Sequence, residues 1–230
     1  MKTLKPTHPL AVRCFHWANT VVLFMMLWSG LLIYWANPVY RLGRGDHTLV
    51  SFFPEPLFAA LGVPYRLAEG MSLHFFFMWF FALNGVLYVG YTILSGEWRD
   101  LLPNRRSFSE AIQVVRSDLG LSAKNLPPRP FNGAQQIAYT SVIVMGAGSL
   151  ITGLAIYKPV QFAWVTGLLG GYEWARWEHF WLAAGYVLFF VVHVLQVSRA
   201  GWNNFRGMVT GYEIVVLTQP DSPSQGETAS

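Results

Sequence analysis

The feature that most constrains this chain is a set of four long segments without Asp, Glu, Lys or Arg. They cover residues 14–40, 70–96, 130–157 and 179–198. A helix needs about 20 apolar residues to cross the hydrocarbon core of a bilayer, and each segment is that long. Uninterrupted apolar runs favour helices over a membrane β-barrel, whose strands alternate polar and apolar residues. The sequence therefore predicts an all-α integral membrane protein, a four-helix transmembrane bundle.

The composition agrees with this prediction. Hydrophobic residues make up 53% of the chain and charged residues 12%, about half the share that soluble domains carry. The first apolar run is too long for an ordinary signal peptide, and no small-x-small cleavage site follows it. We expect one membrane domain over residues 1–217, with spans at about 14–36, 71–95, 133–157 and 177–198. The polar residues 218–230 are expected to form a disordered tail.

The distribution of Lys and Arg predicts the orientation. With the N-terminus inside, eleven of these residues fall on the cytoplasmic side and five on the opposite side. Both termini are therefore expected to be cytoplasmic, in a multi-pass protein of the bacterial inner membrane. Basic residues beside the membrane ends account for the net charge of +4, so lipid is an expected partner and nucleic acid is not.

The single cysteine, Cys14, limits the cofactors. One cysteine excludes an intrachain disulfide, a cysteine zinc cluster and an iron–sulfur cage. No CxxCH motif is present, so any haem would be held without thioether bonds.

Histidines are the most informative polar residues in the apolar segments. His179 and His193 are fourteen positions apart, which places both on nearly one helix face, about 21 Å apart along the axis. His16 begins span one on the cytoplasmic side, and His74 lies near the outer end of span two. The four residues thus sort by depth into an inner pair, His16 with His193, and an outer pair, His74 with His179.

Two imidazoles at one depth on facing helices can hold a haem iron between them. The depth pairing therefore predicts two bis-histidine haems that share span four, and Gly30, Gly85, Gly146, Gly148, Gly153 and Gly185 would let the macrocycles approach the helices. Tight helix packing explains each of those glycines equally well. Each histidine alone could instead be a satisfied polar residue, a proton relay, or a ligand of copper or zinc. His8 and His47 are expected to be solvated.

The connections between spans carry weaker signals. The segment SFSEAIQVVRSDLGL predicts an amphipathic helix with Ser107 or Ser109 as N-cap and its apolar face on the inner membrane surface. The outer segment LFAALGV, residues 57–63, is too short to cross and is expected at the interface. The aromatic cluster before span four is typical of an interface anchor.

RCFHW at the start of span one, a lone histidine near the outer end of span two, and H-x13-H in span four resemble the membrane-embedded dihaem cytochrome b subunits. That family includes the gamma subunit of respiratory formate dehydrogenase and the cytochrome b of nickel–iron hydrogenase. It also includes the cytochrome b subunits of thiosulfate reductase and of several periplasmic molybdopterin oxidoreductases. The resemblance covers roughly residues 9–211. It implies two b-type haems, the inner on His16 and His193 and the outer on His74 and His179.

The resemblance also implies a quinone site at the cytoplasmic start of span three, which reads PFNGAQQIAY. Asn132, Gly133, Gln135 and Gln136 would bind menaquinone or ubiquinone there. Asn132 before an apolar run is equally a good helix N-cap. Arg13 and Arg176 lie near ligands in sequence and could pair with haem propionates, although interfacial position explains each as well.

The resulting hypothesis is an electron-transfer subunit with no catalytic residue of its own. It would relay electrons between the quinone pool and a periplasmic catalytic subunit, a molybdopterin enzyme or a hydrogenase, directly or through an iron–sulfur subunit. The outer loops at 37–69 and 158–178 would dock that partner. Two alternatives stay open: a stand-alone membrane haem reductase with a small outer substrate, and a haem-free transporter with a histidine relay.

Overall fold

A computed structural model describes residues 2–36, 42–44, 47–50, 56, 59, 60, 62, 65–121 and 131–216. The predicted tail at 218–230 lies outside these residues, as do most of LFAALGV and most of the first outer loop. The described elements, in chain order, are β1 (Lys2–Pro6), α1 (Leu10–Trp35), β2 (Leu42–Arg44), β3 (His47–Val50), α2 (Leu67–Ser95), α3 (Trp98–Leu101), α4 (Arg105–Asp118), α5 (Gly133–Tyr157), α6 (Ala163–Leu168), α7 (Tyr172–Ala200), α8 (Trp202–Thr210) and β4 (Tyr212–Val216).

Four of the described helices, α1, α2, α5 and α7, are long and apolar enough to cross a membrane. The prediction of a helical membrane bundle is confirmed. Three of the four begin a few residues earlier than expected, and α5 has the predicted bounds of 133–157. Polar or charged residues such as Arg13 and Glu173 occupy the added first turns, since helix ends at the interface can expose polar groups to water.

Residues 17–192 form one of two compact units, and its centre is apolar. Val22, Phe81 and Tyr186, from α1, α2 and α7, are buried together. Small residues bring the helices close: a Cβ atom on Gly70 would be 2.9 Å from Leu32 Cβ, and one on Gly185 would be 2.9 Å from Met145 Sδ. Close backbone approach is how membrane helices associate where lipid removes the hydrophobic driving force.

The predicted amphipathic helix exists as α4, but its predicted N-cap was wrong. Asn104, not Ser107 or Ser109, caps the helix, and Ser107 is the third residue of a reciprocal capping box with it. Each of the two side chains accepts a hydrogen bond from a backbone N–H group that has no partner within the first turn of the helix. The residues of α4 that are buried are Ser107, Glu110 and Val114.

Large apolar side chains of α4 remain exposed. They are Phe108, Ile112, Val115 and Leu119. An exposed apolar side on a helix that packs against the start of α5 is suited to the membrane surface. The placement of this side on the inner leaflet stays a prediction.

The second compact unit contains residues 1–16 and 193–230 and includes an element the all-α prediction lacked. Strands β1 and β4 pair antiparallel, with Lys2 opposite Val216 and Pro6 opposite Tyr212. Gly211 ends α8 in the left-handed region, at φ 87°, a conformation that only glycine adopts without strain. The two ends of the described chain are thus held side by side. A second short pair, β2 with β3, lies between α1 and α2.

Candidate functional site

The outer histidine pair is close in space. His74 projects from α2 and His179 from α7, and their ring centroids are 6.2 Å apart with the planes at 75°. Both residues belong to the unit of residues 17–192. The predicted outer pairing therefore has the geometry of two side chains facing one another.

The inner pair is equally close. The ring centroids of His16 and His193 are 6.0 Å apart, with an interplanar angle of 52°. Both belong to the unit of residues 1–16 and 193–230. Each predicted pair is thus formed within one compact unit, and α7 contributes one histidine to each.

These separations suit a metal ion held between two rings. An imidazole nitrogen binds a metal at about 2 Å and the ring centroid lies roughly 1 Å further, so axial partners have centroids about 6 Å apart. Haem iron takes up to two axial ligands from the protein, and each pair contains two imidazoles. In the part of the chain that is described, no group of three or more His, Cys, Asp or Glu side chains could hold a metal ion.

A buried hydroxyl holds the ring of His74. Ser29 Oγ, fully buried on α1, lies 2.9 Å from His74 Nδ1. The same Oγ donates to the backbone oxygen of Met25 at 2.7 Å. Because a hydroxyl has one proton and the carbonyl of Met25 takes it, the Ser29 oxygen can accept from an Nδ1–H group of the imidazole. This arrangement leaves Nε2 of His74 as the unprotonated nitrogen, the one that can bind iron.

His179 is held in the same way from a different helix. Thr152 Oγ1 on α5 lies 2.9 Å from His179 Nδ1 and donates to the backbone oxygen of Gly148 at 2.7 Å. Thr152 is 3% exposed. The sequence analysis did not identify either hydroxyl. The sequence signal for these hydroxyls is a Ser-Gly or Thr-Gly dipeptide within a span, Ser29-Gly30 and Thr152-Gly153. The fold is needed to show which histidine each hydroxyl contacts.

Two of the six predicted glycines face the histidines. A Cβ atom on Gly30 would be 3.6 Å from His74 Cε1, and one on Gly153 would be 3.3 Å from His179 Cε1. Three others, Gly146, Gly148 and Gly185, pack against side chains of neighbouring helices, whereas a Cβ atom on Gly85 would have no atom of the described residues within 4 Å.

The four predicted quinone residues lie together at the start of α5, and each makes a hydrogen bond within the protein. Asn132 and Gln135 form a capping box, each side chain accepting from the backbone N–H of the other. The N–H of Gly133 donates to Glu110 Oε2 at 3.0 Å. The N-cap role of Asn132 is therefore confirmed, and a quinone role for these residues stays a prediction.

Gln136 is buried and joins three elements. Its Nε2 donates to the backbone oxygen of Asp100, at the end of α3, at 2.8 Å. Its Oε1 accepts from Ser107 Oγ of α4 at 2.7 Å. Thr140, one turn along α5, donates to the backbone oxygen of Leu101. These bonds satisfy carbonyls that the end of α3 would leave unpaired.

The two arginines proposed for propionates differ in their surroundings. Arg13, one turn before His16, donates from Nη2 to the backbone oxygen of Val209, while its Nε is buried without a hydrogen-bond partner among the described residues. Arg176 lies 3.3 Å from Glu173 Oε1 and 5.7 Å from the ring of Tyr172. A buried donor without a partner among the described residues is suited to an added carboxylate, so Arg13 fits the predicted propionate role better than Arg176 does.

The remaining histidines lie outside both pairs. His47 is exposed, as expected. His8 is half-buried, and this burial lowers its pKa below the ordinary value of 6.5. Glu213 acts against the shift and Arg13 adds to it.

A separate cavity of about 460 Å³ lies between α5 and α7. Its walls are mainly apolar side chains, including Ile151, Trp177 and Trp181, with Thr152 and Glu178 as the polar members. None of the four paired histidines lines it. The cavity is therefore distinct from the space between the imidazole rings.

Comparison with known families decides the chain's affiliation. The family model of prokaryotic cytochrome b561 matches residues 7–211, a range that contains all four paired histidines. The chain belongs to the prokaryotic cytochrome b561 family. It is accordingly a membrane haem protein of the b type and a multi-pass protein of the bacterial inner membrane. The predicted family resemblance is confirmed.

One relative supports the same conclusion over most of its length. A protein of Azospira oryzae, named provisionally as the YedZ1 subunit of a protein-methionine-sulfoxide reductase, is 30% identical over 200 residues. The alignment covers 86% of this chain and 92% of the relative. The relative is thus itself named as a subunit of an oxidoreductase.

Proposed function

We propose that this cytochrome b561 protein binds two b-type haems and relays electrons between the quinone pool and an oxidoreductase subunit on the outer face. The observation that carries the proposal is the pair of facing imidazoles found twice, at 6.0 and 6.2 Å. A single buried histidine has many explanations. Two facing pairs that share one helix match the ligand set of two haems.

Five side chains of the protein would hold the two haems. His16 and His193 bind the inner haem, and His74 and His179 bind the outer one. Arg13 holds a propionate of the inner haem through its buried Nε. When bound, haem supplies one-electron redox chemistry, and the chain sets its ligands and surroundings.

The quinone is assigned to the start of α5, with a narrower set of residues than the sequence suggested. Gly133 and Gln136 use their polar groups within the buried α3–α4–α5 contacts. Gln135 is exposed, and its capping bond uses Oε1, so its Nε2 can donate to a quinone carbonyl. Asn132 and Gln135 are therefore the proposed contacts, with ubiquinone or menaquinone as the exchangeable substrate.

The partner is proposed from the relative's name. That protein is named as a subunit of a methionine-sulfoxide reductase, so we propose that this chain passes electrons to a periplasmic reductase, with a molybdopterin centre as the class of cofactor. The segment 158–178, which contains α6, is the proposed docking region that the structure describes. Residues 37–64 of the first outer loop lie largely outside the described part.

The test is haem content and the reduced-minus-oxidised visible spectrum of the detergent-purified protein, of four variants, H16A, H193A, H74A and H179A, and of the control H47A. We expect two haems per chain in the wild type. H16A and H193A should each lose one haem, with the same spectral component missing. H74A and H179A should each lose the other component, and H47A should lose neither.

Other patterns of loss would contradict the proposal. If H74A lost a different component from H179A, the pairing would be wrong. Protein that lacked haem despite adequate supply would favour the histidine relay transporter. A haem-loaded protein that reduces a small outer substrate with no subunit bound would favour the stand-alone reductase.

A further inference from the structure

We propose that Ser29 and Thr152 are positioning residues of the outer haem, whose hydroxyls hold His74 and His179 in the tautomer that presents Nε2 to the iron. The inference rests on the outer haem of the proposed function. It adds two residues that neither the histidine pattern nor the family resemblance identifies.

Each of the two hydroxyls has one proton and two close polar neighbours. Each oxygen lies 2.9 Å from an imidazole Nδ1 and 2.7 Å from a backbone oxygen four residues earlier in its own helix. A backbone carbonyl can only accept, so it takes the hydroxyl proton. The hydroxyl oxygen must then accept from Nδ1–H. Both imidazoles are left with Nε2 as the free electron pair.

The same arrangement occurs twice, on two different pairs of helices. Ser29 on α1 serves His74 on α2, and Thr152 on α5 serves His179 on α7. In each case the next residue is a glycine whose open side faces the same ring, Gly30 at 3.6 Å and Gly153 at 3.3 Å from Cε1. A hydroxyl fixes the rotation of the ring, and at Gly153 the missing side chain leaves room for the ring. We call each hydroxyl–glycine pair a histidine clamp.

The hydrogen bond at Nδ1 changes how each imidazole would bind iron. A ring that donates from Nδ1–H to a fixed acceptor is a more basic ligand at Nε2 than a ring without one. A more basic ligand stabilises ferric over ferrous iron. Loss of either hydroxyl should therefore raise the midpoint potential of the outer haem and leave the inner haem unchanged.

The experiment compares T152V with T152S and S29A. Valine matches the shape of threonine and lacks only the hydroxyl, whereas serine keeps it. The control is S72A: Ser72 is exposed on α2 and makes the same bond to a carbonyl four residues earlier, at 2.8 Å. Haem per chain, midpoint potentials from a redox titration, and the ferric low-spin electron paramagnetic resonance spectrum are measured for each protein.

We expect T152V and S29A to raise the potential of one haem and to shift the corresponding ferric signal, or to lose that haem alone. T152S and S72A should match the wild type. Two haems with unchanged potentials and signals in T152V and S29A would overturn the clamp while leaving the ligation intact. A shift of the inner haem, or loss of both, would also overturn it, because the hydroxyls would then serve the fold. A wild type without a second haem would instead refute the proposed function.

The glycines give an independent test. An alanine Cβ at position 30 would be in ordinary contact with the His74 ring, whereas one at position 153 would press on the His179 ring. G153A should shift the ferric signal of the outer haem, and G30A should change it less. An equal response of both variants, or none, would contradict the fit of ring to glycine.

Discussion

Gly133 lies against Ser107 so closely that a Cβ atom on Gly133 would overlap the carbonyl oxygen of Ser107 and lie 2.7 Å from its Cα. The same Cβ would be 2.8 Å from Glu110 Cβ. The contact joins the start of the third span to α4. The N–H of Gly133, unpaired within its own helix because it is in the first turn, donates to Glu110. Only glycine allows this backbone approach, so position 133 fixes the place of α4.

The first prediction is that G133A destabilises the protein strongly. Backbone atoms cannot move aside as a flexible side chain can, so we expect a loss at or above the roughly 1–3 kcal/mol typical of overpacked sites. G90A is the matched control, because in the described part of the chain no atom would lie within 4 Å of a Cβ atom on Gly90 of α2. Thermal unfolding in detergent, followed by the haem spectrum, measures both. A G133A midpoint equal to that of G90A would refute the contact.

The second prediction separates the two roles of Asn132. Its side-chain oxygen accepts from the N–H of Gln135 at 3.1 Å, and aspartate can accept in the same way. N132D should keep the stability of the wild type, whereas N132A should lose about 1 kcal/mol. If the amide also binds a quinone, N132D should slow haem reduction by a quinol analogue at unchanged stability. Equal rates in N132D and wild type would limit Asn132 to the cap.

Much of this fold was predictable because the bilayer imposes simple rules. A segment without charges must be long and helical to cross, so the four spans followed from residue type alone. His74 and His179 could be paired because depth in the membrane is a nearly one-dimensional coordinate. Asn132 could be predicted to cap α5 because it directly precedes an apolar run.

Features that depend on lateral contacts between helices were not predictable. Ser29 is one of several hydroxyl residues in the spans, and no local pattern indicates that it meets a histidine on α2. The β1–β4 pair joins residues about 210 positions apart, for which the sequence has no periodic signal. Asn104 was missed because Ser107 and Ser109 are equally good N-cap residue types. The helix begins directly after Asn104 because the backbone of that residue is extended.

The third prediction concerns the charge beside each of the two proposed haems. Arg13 has a buried Nε without a partner in the described residues, whereas Arg176 is partly neutralised by Glu173. A positive charge near iron favours the ferrous form, so R13Q should lower the potential of the inner haem, and R176Q should change the outer one less. R13K keeps the charge and should lie between R13Q and wild type. A larger shift in R176Q than in R13Q would contradict the assignment of Arg13 to a propionate.

The fourth prediction is a pH dependence at the paired chain ends. Burial lowers the pKa of His8 from its ordinary value of 6.5, and Arg13 lowers it further, against the opposing effect of Glu213. The unfolded chain therefore binds more protons at position 8 than the folded chain between the lowered pKa and 6.5. Stability must rise with pH across that window and be lost as pH falls below 6.5.

His8 lies between β1 and α1, and its backbone oxygen is near Gly211, where a Cβ atom would be 3.5 Å from it. Protonation of His8 should therefore loosen the β1–β4 pair in particular. Limited proteolysis of the N-terminal segment at pH 5.5 and 7.5 measures this, with H8Q as the variant that cannot titrate and H47Q as the exposed control. The wild type and H47Q should be cut faster at pH 5.5, and H8Q should be cut at similar rates at both values. If H8Q keeps the full pH difference, another group carries it, and the partial burial of His8 has no effect on the stability of the chain ends.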